Sequence, residues 1–136
     1  MIGVVDYGAG NLRSVERALA RIGAAFFTSA RPEDFSKADR MIFPGVGEAR
    51  ASMEVLEARG LDEAIVRFAR SGRPLLGICI GAQVVLDRSE ERDTTCLGLI
   101  KGRAVRFVTT AELKVPHIGW NQVNQVAKHT VFAGIP

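Results

Sequence analysis

Apolar and polar positions along this chain change period several times, and each change marks an element. Ile2 to Val5 is a short β-rich apolar run. From Asn11 to Ile22 the apolar residues Leu12, Val15, Leu19 and Ile22 recur at three- and four-residue spacing, which predicts an amphipathic helix ended by Gly23. Ala25 to Thr28, Met41 to Phe43 and Leu75 to Ile78 predict three further strands, with helices over Ala49 to Arg59 and Leu61 to Arg70 between the last two. Strands alternating with helices predict the α/β class, an open and mostly parallel sheet flanked by helices. After Glu91 the pattern shortens. Arg103 to Val108, Leu113 to Val115 and Gln122 to Val126 are β-like runs separated by turn residues, which predict a small antiparallel addition after about residue 100. With no repeat, linker or low-complexity stretch, residues 1–136 read as a single domain.

Composition narrows the function classes. Hydrophobic residues make up 47% and charged residues 24%, the range of soluble globular chains. The net charge of +3 is scattered over helix faces, with no Lys/Arg stripe and no interleaved aromatics, so a nucleic-acid partner is not expected. No apolar run approaches the roughly 20 residues that span a bilayer, and Met1 leads straight into a strand without a charged leader. A cytoplasmic protein with no membrane partner is expected. Cys79 and Cys96 form no Cys-x-x-Cys pair, and only His117 and His129 could join them, so no metal and no cofactor is expected.

The run Gly77-Ile78-Cys79-Ile80-Gly81-Ala82-Gln83 carries the chemistry. Pro74 to Ile78 reads as a buried strand and Ala82 to Leu86 as the start of a helix, so Cys79 falls on the turn between them, where a nucleophile is presented. Glycines on either side let the neighbouring backbone crowd that turn, and the unpaired N–H groups of a helix start favour thiolate over thiol. Cys96 has no helix start after it and reads as structural. A second strand ends in Pro44-Gly45-Val46-Gly47, which a parallel sheet brings to the same edge as Cys79. Acyl transfer needs backbone N–H donors aimed at a developing oxyanion. Gly45, Val46 and Gly47 offer a peptide plane free to turn inward, and the Ile80 N–H is the second donor.

A third glycine segment, Val4-Val5-Asp6-Tyr7-Gly8-Ala9-Gly10-Asn11, follows the first strand and opens a helix. A dinucleotide-binding loop is the rival reading from another class. It fails because Arg13 stands where the third glycine belongs, and no acidic residue ends the second strand at Thr28-Ser29. Asn11 alone reads as a helix cap, Glu91 as a solvated charge in the run from Asp87 to Arg92, and Trp120 and His117 as ordinary core or surface groups.

Taken together, Asp6 to Asn11, Pro44 to Gly47, Gly77 to Gln83 and Pro116-His117-Ile118-Gly119-Trp120-Asn121 resemble the glutamine amidotransferase subunit of imidazole glycerol phosphate synthase, over the whole chain from Ile2 to Pro136. The cysteine run alone is similar to class I glutamine amidotransferases in general, whose fold is flavodoxin-like. The resemblance implies a cytoplasmic glutaminase of histidine biosynthesis in which Cys79 attacks the glutamine amide. Gln83 would meet the substrate backbone and Glu91 the glutamine ammonium. It implies a heterodimer with a β/α-barrel cyclase that receives the ammonia, with Asn11, His117, Trp120 and Asn121 facing that partner and its ammonia passage. The family carries its catalytic histidine and glutamate in a late His-Pro-Glu run, and no such run occurs here. An incomplete domain lacking its C-terminal part, inactive by itself, is therefore expected. His117 does not match the family's base position. The alternative reading is a non-catalytic scaffold or binding module of the same fold.

Overall fold

The computed structural model describes residues 1–110 and 114–135. By their contacts the residues divide into two compact units, Met1–Arg106 and Phe107–Pro136.

The first unit holds the α/β architecture. Its elements are β1 (Ile2–Val5), α1 (Leu12–Arg21), β2 (Phe26–Ser29), β3 (Arg40–Gly45), α2 (Ala49–Ala58), α3 (Leu61–Arg70), β4 (Leu75–Cys79) and a short α4 (Ile80–Val84). The strands pair in parallel in the order β2-β1-β3-β4. Connections leave β1 in one direction to β2 and in the other to β3 and β4, so the sheet has a topological switch between β1 and β3, where the loops leaving the strand ends diverge and open a crevice.

Local sequence explains the helices. In α1, Asn11 accepts the Ser14 N–H at 3.3 Å and Gly23, at φ +67°, turns the chain out of the helix. Asp62 and Glu63 stand in the first turn of α3 and Arg67 and Arg70 in its last, both favourable to the helix dipole. The buried faces of α2 (Met53, Leu56) and α3 (Leu61, Ile65, Phe68) join Met41 and Phe43 of β3 and Val84 of α4 in one core.

The sequence reading of this region is correct in type and differs at two places. The strand read as buried over Pro74 to Ile78 is the edge strand β4, whose Leu76 and Ile78 are exposed because no strand pairs on its outer side among the described residues. The helix after Cys79 is short. Leu86 does not continue the helix: Leu86–Ser89 is a strand, β5, which pairs antiparallel with β6 (Thr94–Thr95) and parallel with β7 (Ile100–Ala104). The small addition is thus a mixed sheet beginning at residue 86. The segment Leu86-Asp87-Arg88-Ser89 has no apolar alternation to reveal it, because its order comes from backbone pairing on both edges.

In the second unit, the strand expected over Gln122 to Val126 does not form: Val123 and Val126 are fully or largely exposed, and β propensity has no effect without a partner strand to pack on. Of the run expected over Leu113 to Val115, Leu113 lies outside the described residues, while Lys114 and Val115 are not in a strand. Arg103 to Val108 contributes only its first two residues, to β7.

Candidate active site

Three glycine-containing segments meet at the C-terminal ends of β1, β3 and β4. Cys79 is the last residue of β4 and caps α4, with φ 57° and ψ −116°. A side-chain-bearing residue is held in such a conformation only when its surroundings enforce it, at about 1–3 kcal/mol. The enforcement is visible. A Cβ on Gly77 would lie 2.7 Å from Gly81 C and O and from Ala82 N, and a Cβ on Gly81 would overlap the Phe43 carbonyl. The elbow is therefore pressed onto β3 and its own helix with room for hydrogen only at both flanking positions, and the Cys79 side chain stands out exposed.

The corner after β3 is its neighbour by register, since Gly45 pairs with Cys79 and Pro44 with Ile78. Gly45 itself is a glycine for lack of space: an added Cβ would come 2.5 Å from Tyr7 Oη and 3.1 Å from Ile80 Cβ. Conformational freedom belongs to Gly47, at φ +100° with open space around it. The loop after β1 closes the third side. Asp6 Oδ1 accepts the Gly8 N–H at 2.9 Å, and a Cβ on Gly10 would be in ordinary contact with Pro44 and Gly45, 3.8 Å away. Asn11 serves as the α1 cap.

Gln83 and Glu91 are joined through a residue the sequence did not single out. Ser89 Oγ, on a residue 2% exposed, accepts Gln83 Nε2 at 2.7 Å and the Glu91 N–H at 3.2 Å. A buried serine has no mark of its own in a sequence; its neighbourhood to Gln83 exists only because β5 folds back after α4. Glu91 stands on a 3-10 turn (Glu91–Asp93), not as a freely solvated charge. Its Oε2 accepts the Ala49 N–H at 2.8 Å and so caps α2, which has no cap from Glu48. Arg50 Nη2 donates to Arg92 O at 2.7 Å, and Arg92 pairs with Glu48 at 3.4 Å, tying the turn to the start of α2.

Cys96 is half-buried and packs against the core. Burial first, then the Glu91 charge, push its thiol above the ordinary range, against a smaller opposing hydrogen bond from the Ser89 backbone. Its structural reading fits this setting. In the second unit His117 Nε2 lies 2.8 Å from Asn121 Nδ2, the His117 ring stands edge-on to Phe107, and Trp120 is fully exposed. Among the described residues no group of three or more His, Cys, Asp or Glu could hold a metal ion, and no helix is long and apolar enough to cross a membrane.

Comparison with known proteins bears on this geometry. The family profile described as "CobB/CobQ-like glutamine amidotransferase domain" matches residues 7–105. Among curated relatives, "Imidazole glycerol phosphate synthase subunit HisH" of Thiobacillus denitrificans is 48% identical over 98% of this chain and 62% of its own length. The Bacillus subtilis protein of that name is 48% identical over 91% and 61%, and that of Methanosarcina barkeri 46% over 98% and 65%. The chain thus spans about three-fifths to two-thirds of the relatives' length. Two solved structures share the fold. One titled "Crystal structure of glutamine amidotransferase" has a TM-score of 0.63 at 23% identity over 72% of this chain and 52% of that one. A putative peptidase E of Listeria monocytogenes has 0.59 at 14% over 73% and 62%.

Proposed function

This chain belongs to the glutamine amidotransferase family, and from that premise we propose that it is the glutaminase part of an imidazole glycerol phosphate synthase, using Cys79 as nucleophile. The observation that carries the reading is the strained elbow: a cysteine at φ 57°, exposed, beside Gly45 in register. A non-catalytic scaffold would have no use for that strain, and glycine at position 79 would remove it.

In the reaction, the Cys79 thiolate adds to the glutamine side-chain carbonyl, and the N–H groups of the Gly45-Val46-Gly47 corner and of Ile80 hold the oxyanion. Once the leaving nitrogen takes a proton, the carbon–nitrogen bond breaks to give a thioester and ammonia, and water then adds to the thioester, returning the Cys79 thiolate and freeing glutamate. Gln83 and Glu91, steadied by Ser89, hold the amino-acid end of the substrate. The names of the relatives support a synthase of more than one subunit. We assign the ammonia to a barrel-shaped cyclase partner contacted by Asn11, His117, Trp120 and Asn121. No base role is assigned to His117, which matches no base position of the family motif.

The test is glutamate release by the 136-residue chain, with and without the cyclase partner, beside a longer form carrying a His-Pro-Glu run. Release confined to the longer form and lost in Cys79→Ala is the expected result. Release that survives Cys79→Ala overturns the reading, and release by the short chain that His117→Ala abolishes overturns the assignment of the base.

A further inference from the structure

Tyr7 is the chain's single tyrosine, and at 1% exposure its ring is buried, edge-on to Phe43 with centroids 5.7 Å apart. That contact aims the hydroxyl beneath the corner after β3. The oxygen occupies the space a Gly45 Cβ would need, and the same space is bounded by Ile80 Cβ and the Gly81 backbone nitrogen. It therefore sits at the joint between the two segments that supply oxyanion donors. Its side-chain partner is Ser52 Oγ, at a long 3.4 Å. Ser52 alone is a weak partner for a buried hydroxyl, and packing alone would be met by phenylalanine. Burial raises the phenol pKa, Ser52 and then the Val46 backbone N–H pull it down, and the Cys79 charge adds a smaller rise. The group stays protonated at neutral pH.

We propose that Tyr7 is a positioning residue whose hydroxyl takes up the Val46 N–H, braces the Gly45-Val46 peptide against the Cys79 elbow and so fixes the remaining oxyanion donors, the Gly47 and Ile80 N–H groups, relative to the sulfur. The inference rests on the acyl-transfer reading of Cys79. Removing the hydroxyl leaves the thiol in place but loosens the donors, so only reactions that pass through an oxyanion should suffer.

Two reagents separate these effects in the longer form that carries a His-Pro-Glu run. With a γ-glutamyl p-nitrophenyl ester, the Cys79 thiolate adds to the carbonyl, the carbon–sulfur bond forms, and the carbon–oxygen bond breaks with release of p-nitrophenolate. Iodoacetamide alkylates the same sulfur by displacement of iodide, with no oxyanion. Tyr7→Phe, which keeps the ring and its Phe43 contact, is expected to slow acylation about tenfold while leaving alkylation within about twofold, with Ser52→Ala giving a smaller loss in the same direction. Equal acylation in Tyr7→Phe and the parent overturns the proposal. So does a parallel fall in both rates, which marks a purely structural residue. If the parent is alkylated but never acylated at Cys79, the acyl-transfer reading itself fails and the inference falls with it.

Discussion

Cys79 joins chemistry to strain in one residue. Its left-handed backbone is enforced by the contacts of Gly77 and Gly81, neither of which has room for a methyl group. The same enforcement predicts an opposition between stability and activity. Cys79→Gly relieves the conformational strain, whereas Cys79→Ala keeps a Cβ in it. By urea unfolding the glycine variant is expected to be about 1 kcal/mol more stable than the alanine variant, with neither able to form an acyl-enzyme. Equal stabilities would mean that the elbow is relaxed and that its geometry carries no functional signal. At this scale the sequence was partly legible. Glycines on both sides of a cysteine point to a crowded turn, but the buried hydroxyls of Tyr7 and Ser89 do not advertise themselves, since only the folded chain brings them to Gly45 and Gln83.

Among the elements, α1, α2 and α3 were legible because each carries an apolar stripe of helical period, and β1 and β3 because each is a short apolar run beside glycine. The region after Val84 was not. Its strands are polar and its turn uses left-handed Arg92 (φ 52°) and Asp93 (φ 48°), neither foreshadowed by a glycine. That turn gives Glu91 a place no spacing argument foresaw, at the N-terminus of α2. A carboxylate accepting a first-turn N–H contributes by hydrogen bond and by helix dipole, so Glu91→Ala is expected to lower unfolding stability by about 1 kcal/mol in the absence of glutamine. Unchanged stability in a thermal or urea melt would reduce Glu91 to a ligand contact alone.

At the scale of the whole molecule, the order β2-β1-β3-β4 gathers the three glycine segments at the switch point and leaves β4 at the edge of the sheet. Leu76 and Ile78 of that edge strand are exposed at 53% and 39%, and on the strand's other face a cavity of about 350 Å³ is lined by Ala69, Leu75, Gly77, Ala82, Val85, Leu99 and Ile100. Fold class followed from the alternation of elements alone, whereas the mixed small sheet depended on pairings between polar segments that no periodicity encodes. We propose that Cys79 sits in a glutamine-recognising acyl-transfer site while Cys96, half-buried with its thiol pKa raised by burial, does not. The most direct test is alkylation at neutral pH by a limiting γ-glutamyl chloroketone, read by peptide mass spectrometry with and without excess glutamine. Modification of Cys79 ahead of Cys96, slowed by glutamine, is expected, with Cys96 reacting only as the pH rises above the ordinary thiol range. Preferential modification of Cys96, or modification of Cys79 that glutamine leaves untouched, would contradict it.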